Sequence, residues 1–289
     1  MIPRSILSAI EKDLGLKVGH ESSLSGGDIS AAYKLSTNKG DLFLKINSSS
    51  ESLHMFQVEA NGLQLIADTN TIKTPMVMTV GETHEGAYLV LEAINSKRAN
   101  SADLQLFGRQ LSEMHNITND VFGLEYDNYI GSLTQYNQTH ETWLEFYTQE
   151  RLKKQYDLAR NKNLLSNQEI PNIETLISGC RPFFQDIQPS LLHGDLWNGN
   201  YMIDPKGIPI LIDPAVYFGH AEVDIAMSLL FGGFGSDFYD SYFENRPKTE
   251  GFSARMDLYQ LYYLLVHLNL FGSSYKSSVM RITNDYFQL

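Results

Sequence analysis

The segment His193-Gly194-Asp195-Leu196-Trp197-Asn198-Gly199-Asn200 sets a carboxylate, Asp195, five positions before a side-chain amide, Asn200. A second carboxylate, Asp213, closes the apolar run Ile210-Leu211-Ile212, thirteen positions after Asn200. Phosphoryl transfer uses these residue types. One carboxylate orients an attacking hydroxyl and accepts its proton. An amide oxygen and another carboxylate hold Mg²⁺ against the phosphates. A hairpin over the residues between Asn200 and Asp213 would return the chain, so the spacing is sensible. Asp195 is then the base, with Asn200 and Asp213 as metal ligands. Either fragment alone is as easily a polar turn, since Asn-Gly-Asn and Asp-Pro are turn sequences. Both in order, flanking a short hairpin, favour the catalytic reading.

Phosphates to transfer need a cradle, and the upstream sequence offers one. Gly26-Gly27 precedes the first hairpin, and glycine lets backbone amides approach a phosphate with no side chain in the way. A Gly-Gly pair is more often simply a turn. Lys45 lies in Leu42-Phe43-Leu44-Lys45-Ile46, a charge on an apolar strand. A strand lysine usually just faces solvent, but Phe43 shares its face and Glu59 follows on the next helix, with Glu51 as a competitor. A strand lysine paired with a helix glutamate is how kinases hold the α- and β-phosphates.

The elements that must position these groups are legible as periodicities. Residues 1–16 form an amphipathic helix with Ile6, Leu7, Ile10 and Leu14 on one side. Tyr33 and Leu35, then Leu42, Leu44 and Ile46, alternate at period two around Asn38-Lys39-Gly40, which predicts a hairpin. Met55, Phe56, Glu59, Leu63 and Ile66 follow at helical spacing. Residues 76–80 and 87–91 predict a second hairpin. Beyond them the chain reads as helical. One helix is capped by Ser101 and has Leu104, Phe107, Leu111 and Met114 inside. Others lie near 141–160, 173–184, 222–230 and 255–270. Residues 201–203 and 208–212 form a small hairpin about Pro205-Lys206-Gly207. The composition shifts near 92–96. The expectation is an α+β chain of two lobes: a small β-rich nucleotide-binding lobe over 1–93 and a larger helical catalytic and substrate-binding lobe over 94–289.

Composition narrows the function. The 289 residues carry 22 Lys+Arg against 34 Asp+Glu, a formal charge of −12, which disfavours broad contact with nucleic acid or an anionic membrane. Cys180 is the only cysteine, so an internal disulfide and a cysteine-based zinc cage are excluded. Glu11, Lys12 and Asp13 interrupt the first helix, unlike a secretory signal. The apolar run 261–266 is too short to span a bilayer. A cytoplasmic, monomeric protein is the expectation.

Several motifs together resemble the fructosamine kinase (ketosamine kinase) family, within the aminoglycoside-phosphotransferase branch of protein-kinase-like folds. They are His193-Gly194-Asp195-Leu196-Trp197 with Gly199-Asn200, then Asp213-Pro214-Ala215, Tyr217, Gly219-His220, Glu222 and Asp224. Asn128-Tyr129-Ile130-Gly131, Gln135, Asn137, Trp143, Phe146, Arg151-Leu152 and Gln155 are similar to the family's middle segment, and Gly26-Gly27-Asp28-Ile29-Ser30 to its N-terminal one. The resemblance implies a two-lobed kinase-like fold using ATP and Mg²⁺ to phosphorylate a hydroxyl of a ketosamine, the adduct of an amine with a sugar. It also implies that Lys45 and Glu59 hold nucleotide phosphates under Gly26-Gly27. The backbone at Glu92, Ala93 and Ile94 would meet adenine, and Trp197 would stack on the sugar-amine. His220 and Glu222 stand between a substrate pocket and loop support. His193, Asp224, His115, Cys180 and the tyrosines at 259, 262 and 263 read as structural. The rivals are a kinase for another small amine such as an aminoglycoside or choline, a catalytically dead nucleotide-binding module, and a metal hydrolase built from His193, Asp195, Asp213 and His220. Ten residues separate Asp213 from Asp224, too few for the long activation loop through which protein kinases dock peptides and are switched.

Overall fold

The computed structural model describes residues 2–24 and 30–288. The chain forms two compact units, Met1–Asp103 with Tyr201–Pro214, and Leu104–Asn200 with Ala215–Leu289. The first unit therefore runs past the composition shift near 92–96 to Asp103 and takes in the 201–214 excursion. Hydrogen bonds hold that excursion there: Lys97 N donates to Ile203 O at 2.9 Å, and Leu211 N to Lys73 O at 2.8 Å.

The first unit is built on a five-stranded antiparallel sheet whose strands, in sheet order, are Val18–Leu24, Ala31–Thr37, Gly40–Asn47, Gly86–Glu92 and Val77–Thr83. The helix α1 (Arg4–Leu14) precedes β1 (Val18–Leu24), β2 (Ala31–Thr37) and β3 (Gly40–Asn47); α2 (Ser52–Asp68) then leads to β4 (Val77–Thr83) and β5 (Gly86–Glu92). Alternation in β3 assigns its two faces. Leu42, Leu44 and Ile46 join Ile6 and Ile10 of α1 in one buried cluster. Phe43 packs on the opposite cluster, where Phe56, Ala60 and Leu63 of α2 meet Leu89 and Leu91. Lys45 shares the Phe43 face because side chains repeat every second residue, so the lysine points towards α2. The Tyr201–Ile203/Pro209–Leu211 hairpin is present as expected.

The helix α3 (Ser101–Met114) buries Phe107, Leu111 and Met114. Its cap is Asn100 and not Ser101: Asn100 Oδ1 accepts from Asp103 N at 3.1 Å, and Asp103 Oδ2 from Asn100 N at 2.9 Å, a reciprocal capping box. In the second unit the expected 141–160 helix is a continuous helical stretch from Trp143 to Asn161 with a π turn over Tyr147–Lys153. The Phe252–Phe271 helix is buried along most of its length, including Tyr259, Tyr262 and Tyr263, as a central helix must be. The helices Ser236–Asn245 and Lys276–Phe287 and the strand β1 were not legible in the sequence. Among the described residues no helix is long and apolar enough to cross a membrane.

Candidate active site

The loop bearing Asp195 leaves the short strand Ser190–Leu192, which pairs with Tyr217–Gly219. Its backbone is fixed from several sides. His193 N donates to Asp224 Oδ2 at 2.8 Å and Gly194 N to Asp224 Oδ1 at 2.9 Å. Ala215 N donates to His193 O at 2.8 Å, and the Tyr263 hydroxyl to Gly194 O at 2.7 Å. Gly194 has φ +83°, and a Cβ there would lie 2.0 Å from Ala215 O. Only glycine meets both demands. Asp195 N donates to His193 Nδ1 at 3.3 Å.

Asn200 bonds directly to Asp195. Its Nδ2 donates to Asp195 O at 2.8 Å and to Asp195 Oδ2 at 3.0 Å. Both amide hydrogens are thus spent on Asp195, which turns the amide oxygen to the other side. Trp197 is 39% exposed. Its ring lies against Gly199, where a Cβ would fall 2.4 Å from the indole.

Asp224 itself is fully buried, and its third partner is His115 Nε2 at 3.1 Å. A carboxylate can only accept, so Nε2 carries the proton and Nδ1 accepts from the Tyr242 hydroxyl at 2.7 Å. Burial holds His115 below the ordinary histidine value against the pull of Asp224. His115 and Tyr263, which read as packing residues, also hold the loop, Tyr263 directly and His115 through Asp224. A polar tip on an otherwise apolar helix was the available signal for Tyr263.

In the first unit, Lys45 Nζ donates to Glu59 Oε1 at 2.8 Å and to Asp213 Oδ1 at 2.6 Å. Burial alone would pull the Lys45 ammonium down, but the charges of Asp213 and Glu59 outweigh it and hold the group above its usual range. Burial raises the Glu59 carboxyl, with Lys45 opposing. Asp213 adopts φ +54°, the left-handed region that non-glycine residues seldom occupy, and its side chain is 44% exposed. Such conformations persist where the surroundings enforce them, often at functional sites. Glu92 closes β5, its N–H donating to Met76 O at 2.9 Å. Ala93 and Ile94 are half-buried and enter no turn or cap hydrogen bond among the described residues. Gly26 and Gly27 lie outside the described residues.

The register places His220 past Ser190, at the end of the strand pair away from His193. Its Nδ1 meets the Tyr259 hydroxyl at 2.7 Å, and that hydroxyl accepts from Trp143 Nε1 at 3.0 Å. Both oxygens of Glu222 are taken by Arg255, from Nε at 2.7 Å and Nη2 at 2.8 Å.

The oxygen donors of Asn200 and Asp213 suit a hard cation. Among the described residues no cluster of three or more His, Cys, Asp or Glu could form a protein cage. Asn200 in the second unit and Asp213 in the first each offer an oxygen of the type Mg²⁺ takes, and Mg²⁺ commonly draws its remaining ligands from water and phosphates.

The fold is that of protein-kinase-like phosphotransferases: the crystal structure of aminoglycoside phosphotransferase APH(4)-Ia superposes with a TM-score of 0.63 over 97% of this chain and 98% of that one, at 15% identity. The fructosamine kinase family model matches residues 4–288, and the chain belongs to that family. It is 42% identical over 274 residues to the chloroplastic protein-ribulosamine 3-kinase of Arabidopsis thaliana, covering 92% of this chain and 82% of the relative. A crystal structure of a candidate fructosamine-3-kinase from Haemophilus somnus gives a TM-score of 0.88 at 29% identity, covering 98% of this chain and 97% of that one. The chain is accordingly a nucleotide-using kinase with a sugar hydroxyl as acceptor.

Proposed function

We propose that the protein phosphorylates a hydroxyl of a ketosamine, with Asp195 as base and ATP as phosphoryl donor. The observation that carries the residue assignment is Lys45, partly buried and held between Glu59 and Asp213. An ammonium kept charged at the end of a strand, beside a half-exposed carboxylate, serves phosphate binding. Asn200 Oδ1 and Asp213 would be the oxygen donors to Mg²⁺, which would supply neutralisation of phosphate charge. Asp195 orients the acceptor hydroxyl and takes its proton. Asn200 fixes the Asp195 carboxylate through Oδ2. Glu59 keeps Lys45 in place for the nucleotide phosphates. The backbone of Glu92, Ala93 and Ile94 receives adenine. The exposed indole of Trp197 gives the sugar-amine a stacking face, with cation–π attraction for its ammonium. His220 and Glu222, already bonded to Tyr259 and Arg255, are read as loop support. The substrate class rests on the family, whose named members act on fructosamine or ribulosamine, both ketosamines. The enzyme acts as a cytoplasmic monomer.

The test is ATP consumption against ribulosamines, erythrulosamines, fructosamines and aminoglycosides. Turnover is expected with at least one ketosamine and far less with aminoglycosides. Turnover confined to aminoglycosides would overturn the assignment.

A further inference from the structure

The second unit contains a buried polar cluster with no part in those steps. It is built on the hairpin of Asn128–Ile130 and Leu133–Gln135 and on the π turn that follows. Gln135 Nε2 donates to Asn128 Oδ1 at 2.8 Å and to Ala215 O at 3.0 Å. Asn128 Nδ2 donates to Val216 O at 2.8 Å. Behind this pair, the Tyr262 hydroxyl donates to Gln135 Oε1 at 2.9 Å and Asn137 Nδ2 to Asn128 Oδ1 at 3.0 Å. Arg151 Nη2 donates in turn to Asn137 Oδ1 at 2.8 Å. Asn128, Gln135, Asn137, Arg151 and Tyr262 are each at most 3% exposed.

A core position filled with apolar side chains would be simpler, because buried polar groups are costly unless fully paired. Here each amide is fixed by a partner behind it, and the chain terminates on two backbone carbonyls. Those carbonyls belong to the segment that matters most. Ala215 N holds His193 O, and Ala215 O presses on Gly194, leaving no room for a Cβ. Asp213 lies two residues upstream on the same chain. A tilt of the Ala215 peptide therefore disturbs the Asp195 loop and the root of Asp213 together.

We propose that Gln135 and Asn128 are positioning residues for phosphoryl transfer, bracing Ala215–Val216 so that the Asp195 loop and the Asp213 segment keep their geometry. The proposal rests on the roles given above to Asp195 and Asp213.

Gln135→Met keeps length and volume and removes both donors. Its kcat, its KM for the ketosamine, its melting temperature and the Mg²⁺-enhancement of ADP binding by calorimetry are to be measured. A misplaced catalytic group is costly even at small displacements. The expected result is a fall in kcat of about tenfold or more, KM within about twofold of wild type, and a weakened Mg²⁺-enhancement. A lower melting temperature with wild-type kcat per folded molecule and undiminished Mg²⁺-enhancement overturns the proposal. Tyr262→Phe removes only the hydroxyl that orients the Gln135 amide, and serves if Gln135→Met does not fold. Its kcat is expected to fall about threefold at unchanged KM, and a wild-type kcat overturns the proposal equally. Asp213→Ala is the control. If it loses the Mg²⁺-enhancement while Gln135→Met retains it, the brace alone is refuted. If Asp213→Ala retains it, the metal assignment falls and the brace with it.

Discussion

Asp195 accepts from the side-chain amide of Asn200 on Oδ2 and donates its backbone N–H to His193 Nδ1, so its direction is set before any substrate arrives. Asp195→Asn keeps the shape and removes the basicity. Turnover is expected to fall at least about 10²-fold, the usual scale of general base catalysis, while ADP affinity stays near wild type. Steady-state kinetics beside a nucleotide titration checks this, and near wild-type turnover contradicts it. Gly194→Ala makes a different kind of demand. It places a methyl group 2.0 Å from Ala215 O on a left-handed residue. The loop must move, and the expected outcome is a loss of activity with a lower melting temperature. At this scale the sequence was informative about chemistry and silent about support. Asp195, Asn200 and Asp213 are recognisable from residue type and order. Nothing in the sequence shows that Tyr263 reaches the loop at Gly194 or that His115 reaches it through Asp224, because those contacts join residues 69 and 109 positions apart.

The Phe252–Phe271 helix holds the catalytic loop from behind through Tyr263. Tyr263→Phe keeps the ring and removes the hydrogen bond to Gly194 O. A cost of about 1 kcal/mol in stability is expected, the net worth of a typical hydrogen bond, with a kcat loss larger than any change in KM. Thermal melts and kinetics on one preparation check both; a rise in KM at constant kcat contradicts the positioning role. Elements with strong period were read well: the 33–46 hairpin, α2, the 76–91 hairpin and the 201–212 hairpin all stand where the alternation put them. Others carried no such period. Residues 236–245 mix acidic and aromatic side chains and follow the glycine-rich segment 231–235, which reads as a loop. Asn100 and Ser101 are both good capping types, and only the reciprocal bonds with Asp103 decide between them. The π turn at 147–153 leaves no pattern in composition, since it appears only when the helical hydrogen bonds are traced.

Across the molecule, ten residues from Asp213 to Asp224 leave no length for a regulatory loop, and Tyr217–Gly219 is already committed to a strand pair. Activity is expected to be unchanged by phosphatase treatment of protein made in cells, and unglycated Ser, Thr or Tyr peptides are expected to remain unphosphorylated. A large fall on dephosphorylation contradicts this. Stability carries its own pH signature. Burial holds both His115 and His220 below the ordinary value of 6.5, so the folded chain keeps them neutral where the unfolded chain protonates. The unfolded state then binds more protons below that value. The stability present above it is lost as pH falls, by up to about 1.4 kcal/mol per pH unit for each histidine. Denaturant titrations at about pH 7.5 and about pH 5.5 measure the slope. His220→Gln, which keeps an acceptor for Tyr259, is expected to make it shallower; an unchanged slope contradicts the assignment.

The central claim, transfer of a phosphoryl group from ATP to a ketosamine hydroxyl under Asp195, is tested most directly by ³¹P NMR of the protein with Mg²⁺, ATP and a lysine-derived ribulosamine. The account predicts ADP and one phosphomonoester on the sugar in equal amounts, with no ester from the Asp195→Asn protein. ADP accompanied only by inorganic phosphate, or an ester formed equally well without Asp195, would contradict it.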